Sequence, residues 1–402
     1  MLSDLDSLMR DRGIDAVIVP MHESAHAAFR WITRGAKVTR GYAVKLLDRA
    51  PLLLAYPMER DEAGATGMET RLIHDFGYDA IFKSAPNAVE AYATFFNGVL
   101  RELGAGKVVA FVGNVPFHLY FGIAEGMEQR GWSIYRSSGD DLTQLARKRK
   151  EGWEIETVAS VGARTEAVVD RVRRILRQCV VEDDHLLFQG EVLTLGNLKQ
   201  VVSREIARLN MVEDHETILS QGRDAGIPHS RGDAAAVVRP SVPIVLDIFP
   251  SDRDSGYFFD LTRTFCVGPI PPELQRIHGD VLAAFQLAAE EMRAGTPASS
   301  YQALVCDFFE ARGYATIRSN PQTVHGYVHS LGHGVGLDVH EKPSFSLAPS
   351  NRDTIEVGDI VTIEPGLYFP DREIGVRIED TLVVREDGRV ETLCRSDRAL
   401  AP

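Results

Sequence analysis

Residues 243–265 read Pro-Ile-Val-Leu-Asp-Ile-Phe-Pro-Ser-Asp-Arg-Asp-Ser-Gly-Tyr-Phe-Phe-Asp-Leu-Thr-Arg-Thr-Phe. The run 243–249 is apolar except for Asp247, and the run 257–265 carries Asp260 among aromatic and β-branched residues. Between them, 251–256 is a cluster of Ser, Asp, Arg and Gly, the chemistry of a turn. The pattern predicts an antiparallel hairpin. The midpoint between Asp247 and Asp260 falls inside the turn, so the two acids are expected to face each other across the ladder, Cβ atoms about 4.5–5.5 Å apart. A second stretch has the same form. Ile360-Val-Thr-Ile-Glu-Pro is followed by a turn at 370–372 and by Gly375-Val-Arg-Ile-Glu-Asp-Thr, and the midpoint of Glu364 and Glu379 again falls in the turn.

Like charges opposed within apolar strands are strongly unfavourable unless a cation compensates them. Arg263 and Arg377 are near in sequence and are one candidate; divalent metal is the other. Two divalent ions match four carboxylates in charge, and a neutral histidine completes a shell without adding any. An oxygen-rich donor set with one imidazole and no thiolate suits Mn²⁺, Co²⁺ or Zn²⁺. The imidazoles are gathered at 329–343, His-Ser-Leu-Gly-His-Gly-Val-Gly-Leu-Asp-Val-His-Glu-Lys-Pro, with His329, His333 and His340 among glycines and apolar residues. Such a cluster is either a glycine-rich loop with satisfied buried histidines or a metal and proton-transfer site.

Outward from these stretches the chain organises in two parts. Its 402 residues are long for a single core. Residues 1–145 alternate short apolar runs (16–19, 42–47, 52–56, 108–112) with helical signals, among them Asn87 as a helix cap and Pro116 as a helix opener. That reads as a small α/β domain. Residues 140–152 are polar and charged and read as a linker, with 147–150 as a solvated basic cluster. From there two helices (154–178 and 195–209) precede the first acid hairpin, and two more (272–293 and 299–312) precede the second. The order suggests an internal duplication.

Composition excludes several classes. A net charge of -13 with no basic stripe argues against nucleic-acid binding. No apolar run approaches a membrane span, and residues 1–12 mix acids and bases without an apolar core. The cysteines at 179, 266, 306 and 394 form no CxxC pair and suit a reducing compartment. A cytoplasmic location is expected. One motif is discounted: His22-Glu-Ser-Ala-His26 matches HExxH, but it follows a strand and has no third ligand nearby, so it reads as the polar start of a surface helix.

Five pieces, taken together, carry a family resemblance: Val-Leu-Asp247; Phe-Asp260-Leu-Thr-Arg-Thr-Phe; Gly332-His333-Gly-Val-Gly-Leu-Asp-Val-His340-Glu-Lys-Pro; Ile-Glu364-Pro-Gly-Leu-Tyr; and Val-Arg377-Ile-Glu379-Asp. In these the chain resembles the pita-bread metallopeptidases: methionine aminopeptidase, aminopeptidase P and prolidase. The resemblance implies an α+β architecture. Residues 146–402 would form a catalytic pita-bread (creatinase/aminopeptidase) domain with a pseudo-two-fold duplication. Residues 1–145 would be a creatinase-like α/β N-terminal domain, which methionine aminopeptidases lack.

It also implies metal ligands at Asp247, Asp260, His333, Glu364 and Glu379, with Asp260 and Glu379 bridging two divalent ions per subunit, manganese first. Glu364 would be the general base. His340 and His229, with Arg377, would contact the substrate. His329 matches the histidine that aminopeptidase P carries four residues before its ligand. The implied activity is hydrolysis of the bond between an N-terminal residue and proline in small peptides, as an Xaa-Pro dipeptidase or as an aminopeptidase P on longer ones, in a homodimer. A non-catalytic peptide binder and a metal-free amidinohydrolase of the creatinase type are the other readings. Two departures stand out: the first hairpin is longer than the family spacing, and no arginine follows His340 before Arg352, where many prolidases hold the substrate carboxylate.

Overall fold

The structure is a computed structural model that describes residues 2–22, 26–137 and 139–402. The chain divides into two compact units, Met1–Arg147 and Lys148–Pro402.

Among the described residues of the first unit, six strands form one mixed sheet. Its centre is Ala16–His22, antiparallel to Arg40–Leu46 and parallel to Val108–Phe111. Apolar runs flanked by turn residues predict four of the six strands, Leu52–Ala55 being the fourth; Glu69–Leu72 and Ser133–Ile134 are edge strands too short and polar for that signal. Asn87 caps Ala88–Glu102 as its side chain accepts the Glu90 N–H at 2.9 Å. An aromatic core of Tyr42, Phe95, Phe96 and Phe76 lies against the sheet. In the HExxH stretch, Glu23 to Ala25 lie outside the described residues. His26 is the N-cap of Ala27–Thr33, with Nδ1 accepting the Ala28 N–H. That helix is buried along nearly its whole length rather than on the surface, since it carries Phe29, Trp31 and Ile32 inward.

In the second unit, Gly152–Gln178 and Leu195–Arg208 precede a three-stranded sheet with Ile244–Ile248 at its centre. Pro272–Glu291 and Ala298–Glu310 precede a five-stranded sheet in which Ile360–Ile363 lies between His333–Gly334 and Asp380–Val384. The order of two helices and then an acid-bearing hairpin thus occurs twice. The expected linker is not an open segment. Asp141 caps a short helix, Leu142–Ala146, and Arg147, Lys148 and Lys150 are buried, not solvated. Lys148 Nζ meets a Glu356 carboxylate oxygen at 2.7 Å, and Lys150 Nζ meets Glu341 at 2.8 Å. Acids more than 190 residues away hold these lysines inside, which a local charge pattern cannot reveal.

The first hairpin differs from expectation by one step of register. Asp247 lies opposite Thr262, not Asp260. The chain reverses within 252–257, where Asp252 N–H donates to the Tyr257 carbonyl, Gly256 N–H returns to Asp252, and Gly256 takes φ 79°. Moving the centre of the turn by one residue moves each cross-strand partner by two. Side chains alternate faces with period two, so Asp260 stays on the face that Thr262 shares with Asp247. In the second hairpin, Ile363 pairs with Asp380 and Gly366 with Arg377. Both ladders have the same register, so Glu364 sits across from Glu379 in the gap that Pro365 opens between them.

Candidate metal centre

The two hairpins meet at Thr262, which pairs with Asp247 on one side and bridges Glu379 on the other. Its hydroxyl donates to a Glu379 carboxylate oxygen at 2.6 Å. Asp260, two residues earlier, is held through its backbone by Thr381: Asp260 N–H donates to the Thr381 hydroxyl, which donates to the Asp260 carbonyl at 2.8 Å. His333 enters from the strand beside Ile360–Ile363. Its neighbours must be glycine. A Cβ on Gly332 would lie 2.2 Å from the Thr362 carbonyl oxygen, and one on Gly334 would lie 2.0 Å from that of Lys342. With Nδ1–H donating to the Gly334 carbonyl at 3.1 Å, the His333 Nε2 lone pair faces the acids. Nε2 is 3.4 Å from Glu364 Oε1 and 3.7 Å from Asp260 Oδ2.

Asp260, His333 and Glu379 each offer a ligand atom, and those atoms all lie within 4.8 Å of one another. Asp247 stands at the edge of this group, one carboxylate oxygen engaged by the Arg377 guanidinium. A cavity of about 520 Å³ is lined by all five proposed ligands, by His229, His329, His340 and Arg377, and also by His215, Glu216, Arg231 and Phe249. The His333 and His340 rings meet edge to face, 4.2 Å between centroids. His329 Nε2 is 2.9 Å from the Tyr368 hydroxyl, which also receives Arg377 Nη1 at 2.9 Å.

Burial and crowding set the charges. Burial, reinforced by Glu379, pushes the Asp260 and Glu364 carboxyls well above the usual range. Burial and then Asp247 raise Glu379 to about 8. Burial lowers His333 and His329 to about 3, helped by His340 and Arg377 respectively, and burial followed by His229 lowers His340. The imidazoles are therefore neutral, the form that ligates metal. Asp247 Oδ1 and Asp260 Oδ1 are buried without a hydrogen-bond partner among the described residues. Buried carboxylate oxygens need such partners or a cation, so these residues fit divalent metal.

Of the two arginines considered as compensating cations, Arg377 reaches Asp247. Arg263 turns away to Asp380 at 2.8 Å, where it also donates to the carbonyls of Ser396 and Asp397. Two residues at the centre have no role in the sequence reading although they lie in the motifs that carry the resemblance: Thr262 and Tyr368 read as ordinary members of apolar strands until the tertiary fold sets their hydroxyls between charged groups.

Residues 156–386 match the Metallopeptidase family M24. The Xaa-Pro dipeptidase of Pyrococcus furiosus is 30% identical over 237 residues, 58% of this chain and 63% of that protein. The Xaa-Pro dipeptidase of Lactobacillus helveticus is 33% identical over 190 residues, 47% of each. The matched region thus spans less than two thirds of these relatives. Among solved structures, the X-Pro aminopeptidase from Thermotoga maritima superposes with a TM-score of 0.76 over 98% of this chain and 99% of that one, at 22% identity. The prolidase from Pyrococcus horikoshii gives 0.74 over 99% of each, at 20% identity. At such identities the likeness establishes the fold: the mixed α and β pita-bread architecture preceded by an N-terminal domain. With more than half its length matched to the family, this chain belongs to metallopeptidase family M24.

Proposed function

We propose that the chain is a metal-dependent peptidase that cleaves the bond between an N-terminal residue and proline, with Xaa-Pro dipeptides as its preferred substrates. The observation that carries the reading is the convergence of ligand atoms from Asp260, His333 and Glu379 within 4.8 Å, beside two partnerless carboxylate oxygens. The dipeptide preference is supported by the names of the curated relatives at 30–33% identity. Residues 1–145 are proposed to be a creatinase-type domain, and the assembly a cytoplasmic homodimer. Among the described residues, no helix is long and apolar enough to cross a membrane.

In this reading Asp247, Asp260, His333, Glu364 and Glu379 would hold two divalent ions, manganese as the first expectation and cobalt or zinc as the alternatives. When bound, such ions supply a water acidic enough to attack at neutral pH and polarise the scissile carbonyl. Glu364 takes the proton of the attacking water and later passes it to the leaving proline nitrogen. His340, packed against His333, and His229 steady the substrate from the lining of the same cavity. Arg377 holds Asp247, Thr262 and Tyr368 in place, and His329, bonded to Tyr368 and 3.9 Å from a Glu364 oxygen, orients the base.

Incubation of purified protein with Ala-Pro and Ala-Pro-Ala across Mn²⁺, Co²⁺ and Zn²⁺ tests this. Cleavage of Ala-Pro is expected, with a loss of about 10²–10⁴-fold in Glu364→Gln. Cleavage of the tripeptide alone would replace the dipeptidase reading by an aminopeptidase one. No cleavage of either, with Glu364→Gln indistinguishable from the wild type, would point to a peptide-binding member of the fold.

A further inference from the structure

Lys150 and Glu341 form an ion pair at 2.8 Å with side chains 1% and 0% exposed. A pair buried this deeply adds little stability over an apolar pair of equal size, because desolvating both charges offsets their attraction. What it supplies is fixed geometry, and the chain around Glu341 shows what is fixed. Asp338 N–H donates to Glu341 Oε1 at 3.0 Å, and Gly336 N–H donates to the Asp338 carbonyl at 3.1 Å. A Cβ on Gly336 would lie 2.5–2.7 Å from the Glu341 carboxylate atoms, so the loop is drawn flush against that group. The Gly336 carbonyl accepts the Phe258 N–H at 2.8 Å, which ties the loop to the strand leading to Asp260. Gly334 pairs with Glu341 across the ladder. The connection between His333 and His340 is thus anchored on the Glu341 carboxylate at Asp338 and packed against it at Gly336. Lys150, held also by the Lys148 carbonyl at 3.1 Å, neutralises it.

We propose that Lys150 and Glu341 are a positioning couple: they set the loop that delivers His340 to the cavity, and so govern how the substrate is held rather than how metal is bound. His340 immediately precedes Glu341 and lines the cavity, so a shift of the carboxylate is passed directly to the imidazole. Neither residue touches the reacting atoms. The kinetic consequence rests on the peptidase reading above; the geometric one does not.

The informative variant is Lys150→Met with Glu341→Gln. It removes both charges at nearly constant volume and leaves an amide oxygen to accept the Asp338 N–H. Lys150→Arg serves as the conservative variant, and because it keeps both charges it also covers the case in which the double variant fails to fold. Calorimetric melting and Mn²⁺ affinity by titration calorimetry are expected to stay within a few degrees and about twofold of the wild type. The kcat/KM for Ala-Pro should fall about 10–100-fold, as a misplaced contact of the order of 1 Å would produce, with partial recovery in Lys150→Arg. Histidine-selective NMR reads the same couple without catalysis: the His340 ring signals should move or broaden in the double variant while His325, which pairs with Asp371 and does not line the cavity, keeps its own. Unchanged His340 signals overturn the proposal, as does a wild-type kcat/KM in a stable double variant or a loss of Mn²⁺ affinity in step with activity. A wild-type protein that cleaves no Xaa-Pro peptide refutes the peptidase reading instead, and the NMR comparison still decides the couple.

Discussion

Arg377→Met exposes the balance of charge at the centre. The Arg377 side chain is 3% exposed and that of Asp247 is 10% exposed, and the guanidinium also donates to Thr262 Oγ1 at 3.1 Å and to the Tyr368 hydroxyl at 2.9 Å. Methionine fills much of the volume but leaves Asp247 without its cation beside Asp260, Glu364 and Glu379. Breaking a buried pair from one side costs about 3–5 kcal/mol. For a unit of this size, 1 kcal/mol moves the melting temperature by about 2–4 °C, so the chelated variant should melt about 6–20 °C below the chelated wild type. Divalent ions stabilise whichever protein binds them in proportion to the logarithm of their occupancy. They also supply the charge that the variant lacks, so the gap should narrow as Mn²⁺ is added. Calorimetry with EDTA and then with rising Mn²⁺ measures both quantities. A chelated variant within about 2 °C of the wild type, or a gap that widens with metal, would show that Arg377 does not compensate the acids.

Three further outcomes are expected. Gly334→Ala forces the His333 strand away from the Lys342 carbonyl, now only 2.0 Å from the new methyl position. The gap must open by roughly 1 Å, beyond the tolerance of a few tenths of an ångström typical of ligand distances, so Mn²⁺ titration should show at least about tenfold weaker binding. Thr262→Val removes the donor to Glu379 and the acceptor for Arg377 at near-constant size. Loss of such an outer partner weakens metal by about 10–100-fold, and an unchanged isotherm would exclude this role. His278, buried with Nε2 lacking a partner among the described residues, has its pKa lowered below 6.5 by burial. Its neutral form is favoured in the fold, so the stability it contributes is present above the unfolded value and is lost as pH falls through about 6.5 toward the lower folded value. Denaturant midpoints from pH 7.5 to 5 should fall less steeply in His278→Gln than in the wild type.

What was legible in the sequence follows from what local pattern encodes. Apolar runs with a lone acid and a turn between them are enough to give two hairpins. Three histidines among glycines mark the wall that faces them, and period-two alternation keeps Asp260 on the right face even though Thr262, not Asp260, is the ladder partner of Asp247. The sequence by itself therefore picked out acids and histidines that line one cavity, and roughly which elements bear them. The tertiary structure decided their partners. Whether Arg263 or Arg377 answers the acids depends on which guanidinium faces the cavity, and only strand packing sets that: Arg377 takes Asp247 while Arg263 serves Asp380. The lysines at 148 and 150 look like a solvated linker because a run of charges usually is one. They are interior because Glu356, Asp359 and Glu341 come to them from about 190 to 210 residues further along the chain. Contacts at such separations leave no periodicity in the chain, because they are fixed by the mutual burial of surfaces that only the folded protein brings together.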